Sequence, residues 1–167
     1  DVFRIPKFSY YFFQSQVDPY AKIYGANNKP MVHIANWWAQ KSTSKKIVVY
    51  SNCGEIELYV NGKLIKRQKP DSGPDSPYGD WEKGGNPFDG GNCRNLAHPP
   101  FTFDNIQFEP GEIKAIGYIK DKPVASDIVH TPEKADGLHI TVDSEAKPLV
   151  ADGADVVFVN VNMVDKN

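Results

Sequence analysis

The sequence predicts an all-β protein: an immunoglobulin-like β-sandwich, preceded by a short N-terminal helix and followed by a truncated second immunoglobulin-like unit. Three observations predict it. Residues 55–60 alternate, with Ile56, Leu58 and Val60 on one side and Glu55 and Glu57 on the other, the period-two pattern of a half-buried strand. Asn61 and Gly62 follow at once, the pair best suited to the positive φ angles of a two-residue hairpin turn. From Met31 to Val129 short apolar segments recur between turn residues without helical periodicity, about seven of them, as a sandwich requires.

The elements follow in order. Pro6 suits a first helical turn and Asp18-Pro19 a stop, so a helix is expected near residues 4–16. Phe8, Tyr11, Phe12 and Ser15 fall on one face at i, i+3, i+4, i+7. Tyr10 and Phe13 add aromatics on other faces, so this helix needs burial on several sides. Strands are expected at 31–38, 46–51 and 55–60, with 63–65 returning from the hairpin. Others are expected at 101–103, 106–108, 112–119 and 124–129, with turns at Glu109-Pro110-Gly111 and near Asp121-Lys122-Pro123. Trp37 and Trp38 are neighbours in a strand pattern, so one belongs in the core and the other faces away. Thr131-Pro132-Glu133 reads as a linker. Leu138, Ile140 and Val142, then Val157, Val159, Val161 and Met163, alternate inward in a second unit at 135–167, too few strands for a sandwich.

The sandwich, at 30–131, carries a long insert at 71–100. Connections beyond about 12–15 residues are either functional or disordered. Asp80, Trp81, Asn86, Asp89 and Asn92 give this one the aromatic and polar composition that stacks on a sugar ring and hydrogen-bonds its hydroxyls. Two arrangements stay open: an exposed carbohydrate contact, or a self-packed loop with Trp81 and Phe88 turned inward over the sandwich edge. Cys53 and Cys93 form a disulfide if the insert folds back on the hairpin, and are otherwise two buried thiols.

Other chemistry is excluded by pattern. The net charge of -2, from 19 basic and 21 acidic residues, disfavours nucleic acid and anionic membranes as partners. No apolar run reaches the ~20 residues that span a bilayer. His33, His98, His130 and His139 lack metal-ligand spacing, the aspartates of the insert lack a calcium-loop pattern, and no nucleophile elbow or phosphate-binding glycine loop occurs. No metal or cofactor is expected. Glu55 and Glu57 share a strand face, but an open face does not perturb a carboxyl as a catalytic acid requires, so they are expected to be solvated. The chain opens Asp1-Val2-Phe3-Arg4, without an initiator Met or a signal-peptide core, as a segment from within a longer sequence would.

Four runs together resemble one family. Phe3-Arg4-Ile5-Pro6-Lys7-Phe8-Ser9-Tyr10-Tyr11-Phe12 is similar to the end of the catalytic barrel in glycoside hydrolase family 2, the β-galactosidase family. The stretch from Val48 through Tyr50-Ser51-Asn52 to Leu58-Tyr59-Val60-Asn61-Gly62-Lys63 resembles a hairpin of the sandwich that follows that barrel. Pro110-Gly111-Glu112-Ile113-Lys114-Ala115-Ile116-Gly117-Tyr118 resembles a later strand of the same module, and Ala151-Asp152-Gly153-Ala154-Asp155-Val156-Val157-Phe158-Val159 the start of the next immunoglobulin-like domain. The order is collinear over nearly the whole chain. The resemblance implies a parent retaining β-glycosidase, exported to the periplasm or cell surface. Its two catalytic glutamates lie upstream, so no catalytic residue is expected here. It also implies that residues 1–20 hold the last barrel helix and that the parent barrel is a partner in cis. An autonomous carbohydrate-binding module is the alternative. Separated from the barrel, the aromatic helix and the apolar strand at 156–164 are expected to be covered by self-association.

Overall fold

The computed structural model describes residues 5–22, 28–39, 45–71, 96–143, 148, 150–154 and 156–166. Two compact units divide it, Pro6–Thr131 and a second containing Pro132–Asn167.

The first unit is a β-sandwich, with one helix among the described residues. α1 spans Phe8–Ser15. Among the described residues seven strands follow: β1 (Val32–Ile34), β2 (Ile47–Ser51), β3 (Glu55–Val60), β4 (Lys63–Gln68), β5 (Phe101–Phe103), β6 (Glu112–Ile119) and β7 (Lys122–His130). They form a three-stranded antiparallel sheet, β1-β2-β5, and a four-stranded one, β4-β3-β6-β7. The inward residues of both sheets interdigitate. Ile47 and Val49 on β2, Ile56 and Leu58 on β3, Phe101 and Phe103 on β5, and Ile113 on β6 are fully buried in one cluster.

The turns follow their residues. Asn61 and Gly62 adopt φ of 48° and 77°, and Val60 pairs with Lys63 to close the hairpin. Lys120 and Asp121, at φ of 50° and 60°, make an equivalent turn between β6 and β7, one or two residues earlier than expected. Gly111 is required where it stands: at φ 128°, its added Cβ would collide with the Asn61 carboxamide. The edge strand β4 is exposed along nearly all its length, and Lys63, Lys66 and Arg67 discourage pairing with another chain.

Three expectations need correction. The strand expected at 31–38 ends at Ile34. Beyond it Asn36 replaces backbone pairing with its side chain, accepting the Val48 N–H at 2.7 Å and donating to the Lys46 carbonyl at 3.2 Å. Trp38 is nonetheless core, while Trp37 is 68% exposed. The segment 106–108 is not a strand, because Asn105 turns the chain at φ 58°. Ile106 still reaches the core, and Phe108 lies 5.0 Å from the Trp38 ring. In the second unit, β8 (Gly137–Asp143) and β9 (Phe158–Val164) form an antiparallel pair, and Val157 precedes the strand. The register sets Leu138 opposite Met163, Ile140 opposite Val161 and Val142 opposite Val159, so the alternation selects one face. That face is exposed rather than inward among the described residues.

Candidate functional site

The residues that the sequence marked in the insert, Asp80, Trp81, Asn86, Asp89, Asn92 and Cys93, lie outside the described residues. The roots of the insert are described. At one root, the Asp71 N–H donates to the Pro100 carbonyl at 2.8 Å. The Asp71 carboxylate accepts both the Thr102 N–H at 3.1 Å and the Thr102 hydroxyl at 2.6 Å. Burial pushes the Asp71 carboxyl above its ordinary pKa, against the lowering effect of those bonds. At the other root, the Gln16 carboxamide pairs with the His98 backbone in both directions, donating at 2.7 Å and accepting at 3.1 Å. The insert therefore leaves and re-enters the sandwich through pinned residues, one of which touches the C-terminal end of α1. Cys53 is a buried thiol without a disulfide partner among the described residues, and burial raises its pKa.

α1 presents two apolar faces. With eight residues it is too short to be stable alone, so its packing holds it. Phe8, Tyr11, Phe12 and Ser15 turn to the three-stranded sheet. Tyr11 stacks on His33 at 3.6 Å between ring centroids, Phe12 meets Tyr50 edge-on at 5.5 Å, and Ser15 is buried. The other face, Tyr10, Phe13, Gln14 and Val17, repeats the same i, i+3, i+4, i+7 spacing. With Asn28, Lys29 and Asn52 it lines a cavity of about 330 Å³. Asn52 forms its floor as a structural group. It accepts the Met31 N–H at 2.8 Å and donates to the carbonyls of Val17 and Lys29 at 3.0 and 3.1 Å. Tyr10 and Phe13 remain exposed, Phe13 by 70%. This groove is the candidate site that sequence reading missed as a site, although the aromatics outside the core-facing stripe signalled it.

Two polar clusters lie elsewhere on the sandwich. On the outer face of the four-stranded sheet, one Glu57 carboxylate oxygen accepts the hydroxyls of Tyr59 at 2.6 Å and Tyr118 at 2.7 Å. Arg67 bridges Glu55 and Asp121 and sits 4.4 Å above the Tyr118 ring. These bonds, that from Tyr59 foremost, hold the Glu57 carboxyl below its ordinary pKa, and they push Tyr118 up to about 12. Glu55 and Glu57 were expected to be solvated; they are instead tied into a cross-strand network. In the second cluster, Asp127 on β7 accepts the Ile34 N–H and faces His33 Nδ1 at 3.4 Å. Among the described residues no group of three or more His, Cys, Asp or Glu side chains could hold a metal ion.

A family model described as a domain of unknown function (DUF4982) matches residues 42–125. A β-galactosidase from Thermoanaerobacter pseudethanolicus is 34% identical over 179 residues, which cover 100% of this chain and 21% of that protein. A β-glucuronidase from Formosa agariphila is 30% identical over 99% of this chain and 14% of its own length. Among solved structures, a β-glucuronidase from glycoside hydrolase family 2 matches 98% of this chain and 14% of its own, with a TM-score of 0.68 and 29% identity. A β-glycosidase from Bacteroides vulgatus shares the fold at a TM-score of 0.66 and 20% identity. The chain thus spans about a fifth or less of the length of the curated relatives it matches first.

Proposed function

This chain belongs to the DUF4982 domain family and corresponds to a small region of larger glycoside hydrolase family 2 proteins, and on that premise we propose that it is a non-catalytic β-sandwich region that supports the catalytic part of such a hydrolase. The parent would hydrolyse O-glycosidic bonds of β-galactosides or related β-glycosides, with both catalytic carboxylates outside this chain. The observation that carries the reading is the second apolar face of α1. A helix that has already packed Phe8, Tyr11 and Phe12 on its own sandwich, and still exposes Tyr10 and Phe13 beside a groove, is built to be covered from both sides.

The carboxylates of the sheet face also favour a structural role. A glycosidase acid needs a carboxyl raised toward neutrality, and Glu57 is shifted the other way. The insert at 71–100 serves in this reading as an accessory to substrate access, with Asp80, Trp81, Asn86, Asp89 and Asn92 as its sugar-contacting residues. Supporting this, Gln16 fastens one root of the insert to the end of the helix that would meet the catalytic part.

The test is hydrolysis of chromogenic β-galactoside and β-glucuronide substrates by this chain and by a longer polypeptide that includes the catalytic part. Turnover by the longer polypeptide alone is expected; turnover by this chain at matched purity refutes the proposal. For the insert, Trp81→Ala in the longer polypeptide is expected to raise KM with little change in kcat. An unchanged KM removes the insert from the substrate path.

A further inference from the structure

The groove beside α1 carries chemistry as well as shape. Its apolar wall is Tyr10, Phe13 and Val17; its polar groups are Gln14, Asn28, Lys29 and Asn52. Both amide hydrogens of Asn52 and its oxygen are engaged by backbone partners. Asn28 donates its amide to the Ala21 carbonyl at 2.7 Å. That leaves two side chains without a partner among the described residues: the Gln14 carboxamide, which offers two N–H donors, and the Lys29 ammonium, which offers three. No carboxylate of the described residues lies within ion-pair distance of Lys29. The groove thus pairs an aromatic wall with donors and a positive charge.

We propose that the groove receives a carboxylate side chain from the remainder of the longer polypeptide, its stem lying against Tyr10 and Phe13 and its oxygens taken by Lys29 and Gln14. This rests on the docking role proposed above and names its chemistry. Three facts commit the groove to that occupant. The relatives carry some four-fifths or more of their length outside the matched region, which supplies the surface. The groove charge is positive in a chain whose net charge is -2, so a carboxylate is the complementary group. The volume of about 330 Å³ is small for a folded element and sufficient for one or two side chains. A carboxylate desolvated against two aromatic rings requires the full set of donors, so Lys29 fixes the register of the docked surface rather than simply adding attraction.

The experiment uses the longer polypeptide and two cross-linking chemistries read by peptide mass spectrometry. A carbodiimide joins an amine to a carboxylate only in direct contact; p-benzoylphenylalanine in place of Phe13 captures any neighbour. The expected result is a carbodiimide product joining Lys29 to an Asp or Glu beyond residue 167 or before residue 1, absent in Lys29→Arg, together with a Phe13-site product in the same region. If the Phe13 site captures that region and Lys29 gives no such product, or joins only carboxylates within this chain, the acidic occupant is refuted while docking stands. If neither site reaches outside the chain, both the inference and the docking reading fall.

Discussion

Asp127 on β7 accepts the backbone N–H of Ile34 on β1 at 2.8 Å, so a single carboxylate joins the edge of one sheet to the edge of the other. Gln68 does the same at the opposite side, donating to the Thr102 carbonyl on β5 at 2.9 Å from β4. A sandwich held by its interior hydrophobes alone can slide along its open sides; these bonds fix the relative position of the two sheets.

Asp127→Ala is therefore expected to destabilise the chain by about 1–3 kcal/mol at pH 7, the effect of losing a hydrogen bond to a charged group. Burial acts to raise the Asp127 pKa, but the bonds from His33 and the Ile34 N–H outweigh it and hold the carboxyl below its ordinary value. A lowered folded-state pKa contributes stability that is complete above the unfolded value, about 3.9, and is lost as pH falls through the folded value. Denaturant melts should show the gap between wild type and variant closing below about pH 4. A gap that persists unchanged at low pH contradicts this account.

Gly117→Ala tests the close approach of β6 to β1. The added Cβ would lie 2.6 Å from Cys53 Sγ and 2.7 Å from Val32 Cγ2, too near for either to remain in place. Overpacking of this kind destabilises by about 1–3 kcal/mol. Gly117→Ala in a Cys53→Ala background should recover part of the loss, as measured by chemical denaturation; no recovery would place the conflict elsewhere.

Lys120→Asn is expected to stabilise the chain. Lys120 holds φ 50° in the turn between β6 and β7, where Asn is better tolerated. A gain of about 0.5–1 kcal/mol in urea melts is expected from relief of that strain. A loss would mean that the Lys120 side chain contributes more than its backbone strain removes.

The sequence displayed the parts of this architecture that are local. Alternation at 55–60 placed Ile56, Leu58 and Val60 in the core, and Asn61-Gly62 marked a hairpin that forms with both residues at positive φ. The packing face of α1 was legible from spacing. The segment 106–108 misled because its apolar residues do reach the core, but from a bend at Asn105 that no period encodes. The polar clusters were illegible for another reason: Glu57 finds Tyr118 at a separation of 61 residues, and Ile34 finds Asp127 at 93. Such pairs exist only once the strand order is set. The groove required both facts, the helix spacing and the position of the 28–31 loop against it.

Phe12→Ala and Phe13→Ala, neighbours on α1, should differ sharply in this chain. Phe12 packs on Tyr50 and its loss should destabilise by more than about 1 kcal/mol, while Phe13 is a surface residue whose loss should stay within about 0.5 kcal/mol. Equal effects would mean that the two faces of α1 are not distinct.

The most direct test of the central claim moves Phe13 into its larger context. Phe13→Asp is to be compared by thermal unfolding in this chain and in a longer polypeptide that includes the catalytic part. A change within about 0.5 kcal/mol is expected here, and a loss of more than about 2 kcal/mol in the longer polypeptide, because a charge would then be buried in the docked interface. The same small change in both would contradict it, leaving the second face of α1 uncovered and the sandwich without the supporting contact proposed for it.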